Sequence, residues 1–381
     1  MRSRLPLILL ILLAAVFYYV QSRRSQPAEK SEAPAGRAAN GTSDGGGAAK
    51  RPLKVALLLT GPTSDDGWNA SAYEGLVRAK ADGAETAYIE NLEKSRFEDV
   101  FRQYAASGSD LLIGHGYEFQ DAALRVAHDF PRATFVIIAG NRSEGNVSSI
   151  AFQFEDATFA LGALSAWLSR TGKAGLVGGE EIPSLKPGFD AFVAGALWAR
   201  PGFVVITKYV GSWNDVALAK EHANALIHEG ADFIFQNADK AGLGVFQAVE
   251  ENPGRYAFGS NKDQNALAPR AILASAVIDV PQAVASVAAA VRDGRFAPGA
   301  YALGVREGIV SIVMNPVLAS VVPDSIAALM DSLEARIAAG EINLFEPETP
   351  TGKRPEGSPE KPRLNSPAGE RSVPPPDWLR R

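Results

Sequence analysis

The sequence predicts an α/β fold of two doubly wound lobes joined by a hinge, each lobe a parallel sheet covered by helices on both faces. Three observations lead there. The chain has 381 residues, enough for two domains of about 100–200 residues once its tails are set aside. Short apolar runs rich in Val, Ile and Leu alternate with stretches of helical periodicity, the pattern of parallel strands linked by crossover helices. The alternation begins near residue 55 and starts afresh near residue 174, so two similar lobes explain it better than one long sheet.

Ahead of the first strand, Arg2 and Arg4 precede an apolar run from Leu5 to Val20, which is the order of an export signal. The run is shorter than the ~20 residues of a typical spanning helix, while Phe17, Tyr18 and Tyr19 suit a membrane interface. Residues 1–22 therefore read as either a signal peptide or a retained N-terminal anchor. Residues 23–52, rich in Ser, Ala, Gly and charge, read as a flexible linker. Residues 346–381, ending in SVPPPDWLRR, read as a proline-rich disordered tail. The folded part is expected over 53–345.

Within it, VALLLT (55–60) is a buried strand and SAYEGLVRAKADG (71–83) a helix that stops at a glycine. TAYIE, a helix over RFEDVFRQYAASG, the strand DLLIGHG, a helix over FQDAALRVAHDF and the strand ATFVIIAG continue a first lobe of about 53–160. FEDATFALGALSAWLSR (154–170) has the length and apolar content of a helix leading from one lobe to the other. AGLVGG (174–179), FDAFVAGALWA, FVVITKYV (203–210), DVALAKEHANALIHEG, DFIFQNA (232–238), GLGVFQAVEE and YAFGSN (256–261) repeat the rhythm through a second lobe of about 170–277. ILASAVIDVPQAVASVAAAVRDG (272–294) starts as a strand and continues as a helix with Pro281 in its first turn. The segment 278–315 is expected to return to the first lobe, and 316–345 to belong to the second. VSIVMNP and DSIAALMDSLEARIAAGEI would complete the sheets and cap the structure.

Composition narrows the function. Hydrophobic residues make up 46% and charged residues 21% of the chain, which excludes a multi-span membrane protein and global disorder. A net charge of -5 offers no basic field to a phosphate backbone, so no nucleic-acid partner is expected. Without cysteine, disulfides, thiolate metal sites, a cysteine nucleophile and a lipid-modified cysteine are all ruled out. His115, His128, His222 and His228 form no i, i+4 pair, and the Gly clusters match no phosphate-loop pattern. No G-x-S-x-G elbow occurs either. The expectation is a protein that is not an enzyme and uses no cofactor or metal.

In a doubly wound sheet, ligands bind beyond the carboxyl ends of the strands. The first such loop, GPTSDDGWNA, supplies Asp65, Trp68 and Asn69. Trp68 is either core packing at a strand end or a stacking platform. In the second lobe FVVITKYV runs into GSWND, so Trp213 creates a second Trp-Asn pair. Two indoles facing each other across a cleft would sandwich a planar ring, at about 1–3 kcal/mol per stacked base. Other strand-end loops offer His115, Tyr117 and Glu118, then Asn237, Asp239, Lys240 and the helix start at Gly242, and finally Asn261, Lys262, Asp263 and Gln264. Asp239 and Asp263 would serve equally well as helix caps.

The runs KVALLLTGPTSDDGWNASAYEGL, AHDFPRATFVII, FEDATFALGALSA, VGGEEIPSLKPGFDAFVAGA, YVGSWNDVALAKEHA, GADFIFQNADKAGLGVFQA and FGSNKDQ occur in order between Lys54 and about Val313. Together they resemble the basic membrane protein family, the PnrA-like purine nucleoside-binding proteins of ABC transporters. The resemblance implies a type I periplasmic-binding-protein fold, two Rossmann-like lobes joined by three crossovers with a purine nucleoside bound between them. It also implies an extracytoplasmic location, in the periplasm or on the outer face of the cell membrane, and permease and ATPase subunits as partners.

By the same resemblance Asp65, Trp68 and Asn69 fall on the family's D-x-x-F-N motif, with Trp68 at the base-stacking phenylalanine and Trp213 at the second stacking aromatic. Gly259 to Gln264 fall on G-V-D-x-D-Q, where Asn261 stands in place of a ribose-contacting carboxylate and Asp263 is retained. Ile278 or Asp279 stands where relatives often carry a lysine. The expected ligand is therefore a purine nucleoside or nucleobase. A membrane-anchored ligand sensor and a sugar-type solute binder are the alternatives. Many relatives carry a lipid-modified cysteine that this chain lacks, so membrane attachment would use residues 5–20.

Overall fold

The computed structural model describes residues 51–342, apart from 66 and 183, together with 376–379. The expected signal or anchor at 1–22, nearly all of the linker and most of the tail lie outside the described residues. The chain runs through β1 (Lys54–Leu59), α1 (Trp68–Ala81), β2 (Glu85–Ile89), α2 (Phe97–Ala106), β3 (Leu111–His115), α3 (Gln120–Ala127), β4 (Thr134–Ile138) and β5 (Val147–Phe152). It continues through α4 (Glu155–Leu168), β6 (Lys173–Gly178), α5 (Lys186–Ala199), β7 (Val204–Tyr209), α6 (Val216–His228), β8 (Phe233–Asn237), α7 (Gly242–Glu250), β9 (Tyr256–Asn261) and β10 (Ile272–Ile278). The last elements of the two lobes are α8 (Val280–Arg292), β11 (Ala300–Leu303), β12 (Val310–Met314) and α9 (Asp324–Ala338).

These strands form two six-stranded sheets, ordered β11-β5-β4-β3-β1-β2 and β12-β10-β9-β8-β6-β7. Every pairing is parallel except β10 with β12. Parallel strands buried on both faces need unbroken apolar runs, and Ala56 to Leu59 of β1 and Leu111 to Ile113 of β3 are wholly buried. Helices α2 and α3, with the 3-10 turn that leads into α3, press Phe101, Val126 and Phe119 onto one face of the first sheet. On the second sheet, α6 and α7 do the same with Leu226, Val245 and Phe246.

Among the described residues the chain changes lobe three times, between β5 and α4, between β10 and α8, and between β11 and β12. The crossovers are tied together by Gln153 N–H donating to Leu303 O at 2.9 Å and Asp279 N–H donating to Ile309 O at 2.7 Å. A third bond runs from Val305 N–H to Asp156 Oδ2 at 3.3 Å. Such short, hydrogen-bonded links between two rigid sheets suit a hinge.

Three sequence expectations shift. The helix over 154–170 does not itself bridge the lobes: the crossing occupies the residues just before it, and α4 packs against α5 in the second lobe. That packing is backbone to backbone, since a Cβ on Gly162 would sit 2.0 Å from Phe192 O and one on Gly195 1.9 Å from Phe159 O. β12, placed by the sequence reading in the segment returning to the first lobe, pairs with β10 in the second sheet instead. Its apolar pattern cannot say which sheet edge takes it. Finally, 376–379 within the expected disordered tail include a short 3-10 turn. Trp378 there is 5% exposed, its ring 5.6 Å from Phe296 and 5.3 Å from Tyr301. Burying an indole offsets the ordering cost that a proline-rich composition suggests will not be met.

Candidate functional site

The carboxyl ends of the two sheets face each other across a cleft of about 400 Å3. Its floor is apolar and comes from the hinge: Phe152 and Phe154 flank the first crossover and Ile278 ends the strand before the second. The walls come from opposite lobes, with Trp68 opening α1 on one side and Trp213 preceding α6 on the other. Ile182 and Leu185 extend the apolar wall of the second lobe. Ala139, Asp239 and Asn261, all lining the cleft, take left-handed backbone angles of φ 61°, 48° and 65°. Such angles in non-glycine residues cost energy and gather where loops are held for function.

Both tryptophans are supported from behind. The His115 ring stacks on Trp68 with centroids 4.1 Å apart and planes at 25°. Its Nε2–H donates to the Trp68 carbonyl at 3.0 Å. Phe152 meets the same indole edge-on at 6.2 Å. Trp213 packs closely against Gly179, where an added Cβ would sit 2.2 Å from the ring. Its loop is pinned by Ala241 N–H donating to Trp213 O at 2.9 Å, and Asp215 caps α6 through Leu218 N–H at 3.0 Å.

The remaining polar groups divide into braces and free groups. Asp65 accepts from the backbone N–H of Gly67, Asn69 and Ala70 at 2.9, 2.8 and 2.9 Å, and from Asn69 Nδ2 at 2.8 Å. Asn69 Oδ1 in turn accepts from Gly61 N–H at 3.3 Å. These two residues line the cleft, but their hydrogen bonds fasten the β1–α1 loop and start the helix, satisfying amides that a helix N-terminus leaves unpaired. Asn261 Nδ2 reaches Asn237 Oδ1 at 3.4 Å. Beneath them Gln236, Ser260 and Gln264 form a buried web, with Gln236 Nε2 donating to Gln264 Oε1 at 2.8 Å.

Asp239 differs. No hydrogen bond to it occurs among the described residues, and burial followed by the nearby Asp65 carboxylate pushes its carboxyl up to about 7. Burial acts on His115 in the opposite sense, holding its imidazole down to about 4 and hence neutral.

Of the residues singled out from sequence, Asp65, Trp68, Asn69, Tyr117, Trp213, Asp239 and Asn261 come together on the cleft. Gly242 and Asp263 do not line it. Gly242 packs on the Gln236 amide beneath the surface, where a Cβ would lie 2.1 Å from Oε1. Asp263 points outward and accepts from Asn265 N–H at 3.0 Å, because the loop after β9 folds back onto Ser275 of β10. His115, read as a loop residue, is the last residue of β3 and fully buried. Phe152, Phe154 and Ile182 gave no signal, since an apolar residue at a strand end looks like core until the second lobe is placed opposite.

The comparisons agree with this architecture. A solute-binding protein of an ABC transporter system from Aeropyrum pernix K1 superposes with a TM-score of 0.70 at 22% identity, covering 78% of this chain and 95% of that one. Another, from Conexibacter woesei DSM 14684, superposes with a TM-score of 0.64 at 28% identity, covering 77% and 98%. A purine-binding protein of Brucella abortus (strain 2308) is 31% identical over 306 residues, 79% of this chain and 85% of that protein. Basic membrane protein A2 of Borrelia garinii subsp. bavariensis is 28% identical over 299 residues, 76% and 87% respectively. Residues 53–341 match the family described as ABC transporter substrate-binding protein, PnrA-like. With the type I periplasmic-binding fold and the inter-lobe cleft in place, the chain belongs to that family of non-enzymatic, extracytoplasmic solute-binding proteins.

Proposed function

We propose that this protein captures a purine nucleoside or nucleobase between its lobes, with Trp68 and Trp213 stacking on the ring, and that closing on it creates the form a permease recognises. The observation that carries the reading is the pair of braced indoles. They come from opposite lobes, line one cleft, and each is backed by His115 or Gly179 rather than free to rotate. Preorganised platforms lose little freedom when a ring enters. The Brucella relative's description as a purine-binding protein supports the ring chemistry. Arg2 and Arg4 ahead of Leu5–Val20 support export. The lobes proposed to close run over about 53–160 and 170–277, joined by the hinge described above.

Calorimetry against adenosine, inosine, adenine, hypoxanthine and ribose tests the reading. Purines are expected to bind and ribose alone not to. Trp68→Ala and Trp213→Ala should each weaken purine binding by about 1–3 kcal/mol while leaving the unfolding midpoint close to that of the wild type. Tight ribose binding, or unchanged purine affinity in both variants, would remove the sandwich.

A further inference from the structure

One carboxylate of the cleft, that of Asp239, defines what its ligand must offer. Asp239 follows β8 in the second lobe and reaches across to the first. A Cβ built on Gly67 would lie 3.4 Å from Asp239 Oδ1 and 4.0 Å from Asp65 Oδ1. An added Cβ would make only ordinary contact with that carboxylate, so Asp239 of the second lobe lies within van der Waals range of the β1–α1 loop of the first. Asp65 is already saturated by four donors. Asp239 has none among the described residues, and its backbone sits in the left-handed region.

The charged groups around Asp239 are Asp65 from the β1–α1 loop, Glu118 after β3, and Lys240 beside it in sequence, which is exposed. The hinge contributes only apolar side chains to the cleft, and β9 contributes the neutral Asn261. Asp239 and Asp65 therefore flank one space, with Glu118 and the exposed Lys240 also on the cleft lining, and it is Asp65 that acts on the Asp239 carboxyl. A ligand donor placed there offsets both the desolvation of Asp239 and its repulsion by Asp65. A ligand acceptor would instead require Asp239 to stay protonated.

We propose that Asp239 is a specificity-determining acceptor: its ionised carboxylate takes a hydrogen bond from a ring N–H or amino group of the ligand, selecting neutral or protonated nitrogen heterocycles and rejecting anionic ones such as nucleoside monophosphates. This rests on reading the cleft as the ligand site. Binding of a donor expels the proton from Asp239, so affinity rises with pH up to the point at which the empty cleft is fully ionised. With that carboxyl at about 7 in the empty cleft, affinity should be about tenfold lower at about pH 6 than at about pH 8.

Calorimetry with adenosine, adenine and ribose at both pH values, on wild type, Asp239→Asn and Glu334→Gln, provides the test. Glu334 on α9 is also pushed up to about 7, by burial and then by Asp331, but does not line the cleft. The expected result is a tenfold pH effect in the wild type and in E334Q, and its loss in D239N together with weaker binding at the higher pH. Adenosine monophosphate should bind D239N better than it binds the wild type. Affinity that is independent of pH, that is greater at the lower pH, or that keeps its pH dependence in D239N overturns the proposal. Purine binding without the pH effect overturns the acceptor and leaves the purine reading standing, whereas ribose binding with no purine binding overturns both. Binding of none of the three overturns both.

Discussion

At the scale of single residues, His115 shows how a polar side chain can serve the site without touching a ligand. It is buried in β3, stacked under Trp68 and bonded to that residue's carbonyl. Because Nε2 carries the proton, Nδ1 is left as a buried atom with no partner among the described residues. The imidazole is held down to about 4 from an ordinary value of 6.5. Between those values the unfolded chain takes up a proton and the folded chain does not. The contribution to stability is therefore complete above about pH 6.5 and is lost as pH falls toward about 4, by up to about 3 kcal/mol. Urea unfolding at about pH 7.5 and about pH 4.5 should show this loss in the wild type and a smaller one in His115→Phe. Equal losses in both proteins would exonerate His115. Trp68 was visible in the sequence as a large aromatic in a polar strand-end loop, but the ring that holds it was not, because stacking joins β3 to a loop 47 residues earlier.

At the scale of elements, the α4–α5 pair anchors the second lobe to the hinge. Gly162 and Gly195 let each helix touch the other's carbonyls, so the helices approach more closely than side chains of ordinary size allow. Gly162→Val or Gly195→Val should cost about 3 kcal/mol or more, at the upper end for overpacking because the obstacle is backbone. Chemical unfolding of the variants checks this, and a loss under about 1 kcal/mol would show that the helices can slide apart. Helix positions and strand runs were legible from periodicity alone. The identity of each helix's partner was not, since α4 is apolar on nearly every face and an all-round apolar helix has no preferred side in sequence.

At the scale of the whole molecule, a turn near the C-terminus closes onto the first lobe. Trp378 covers Phe296 and Tyr301, which follow α8. Trp378→Ala should lower stability by about 3 kcal/mol without altering ligand affinity, since none of these residues lines the cleft. Thermal unfolding and calorimetry together test it, and a variant with wild-type stability would show that the indole is not part of the lobe's packing. The two sheets were predictable because the apolar runs repeat in two sets. The path between them was not. Three crossovers place Phe152, Phe154 and Ile278 on the cleft floor, and a pattern of local periodicity contains no term for which sheet a late strand joins.

The sequence by itself determined that this is a two-lobed α/β protein, gave its strand and helix spans closely, and set Trp68 and Trp213 in equivalent loops. Those features depend on neighbours a few residues apart, where periodicity and turn chemistry act. Only the tertiary structure decided that Asp65 and Asn69 brace the β1–α1 loop, that Asp263 and Gly242 lie off the cleft, and that Asp239 meets the opposite lobe with no hydrogen-bond partner among the described residues. Each of those outcomes depends on which groups are removed from water and which donors reach them, and burial and pairing arise only when distant segments are packed together.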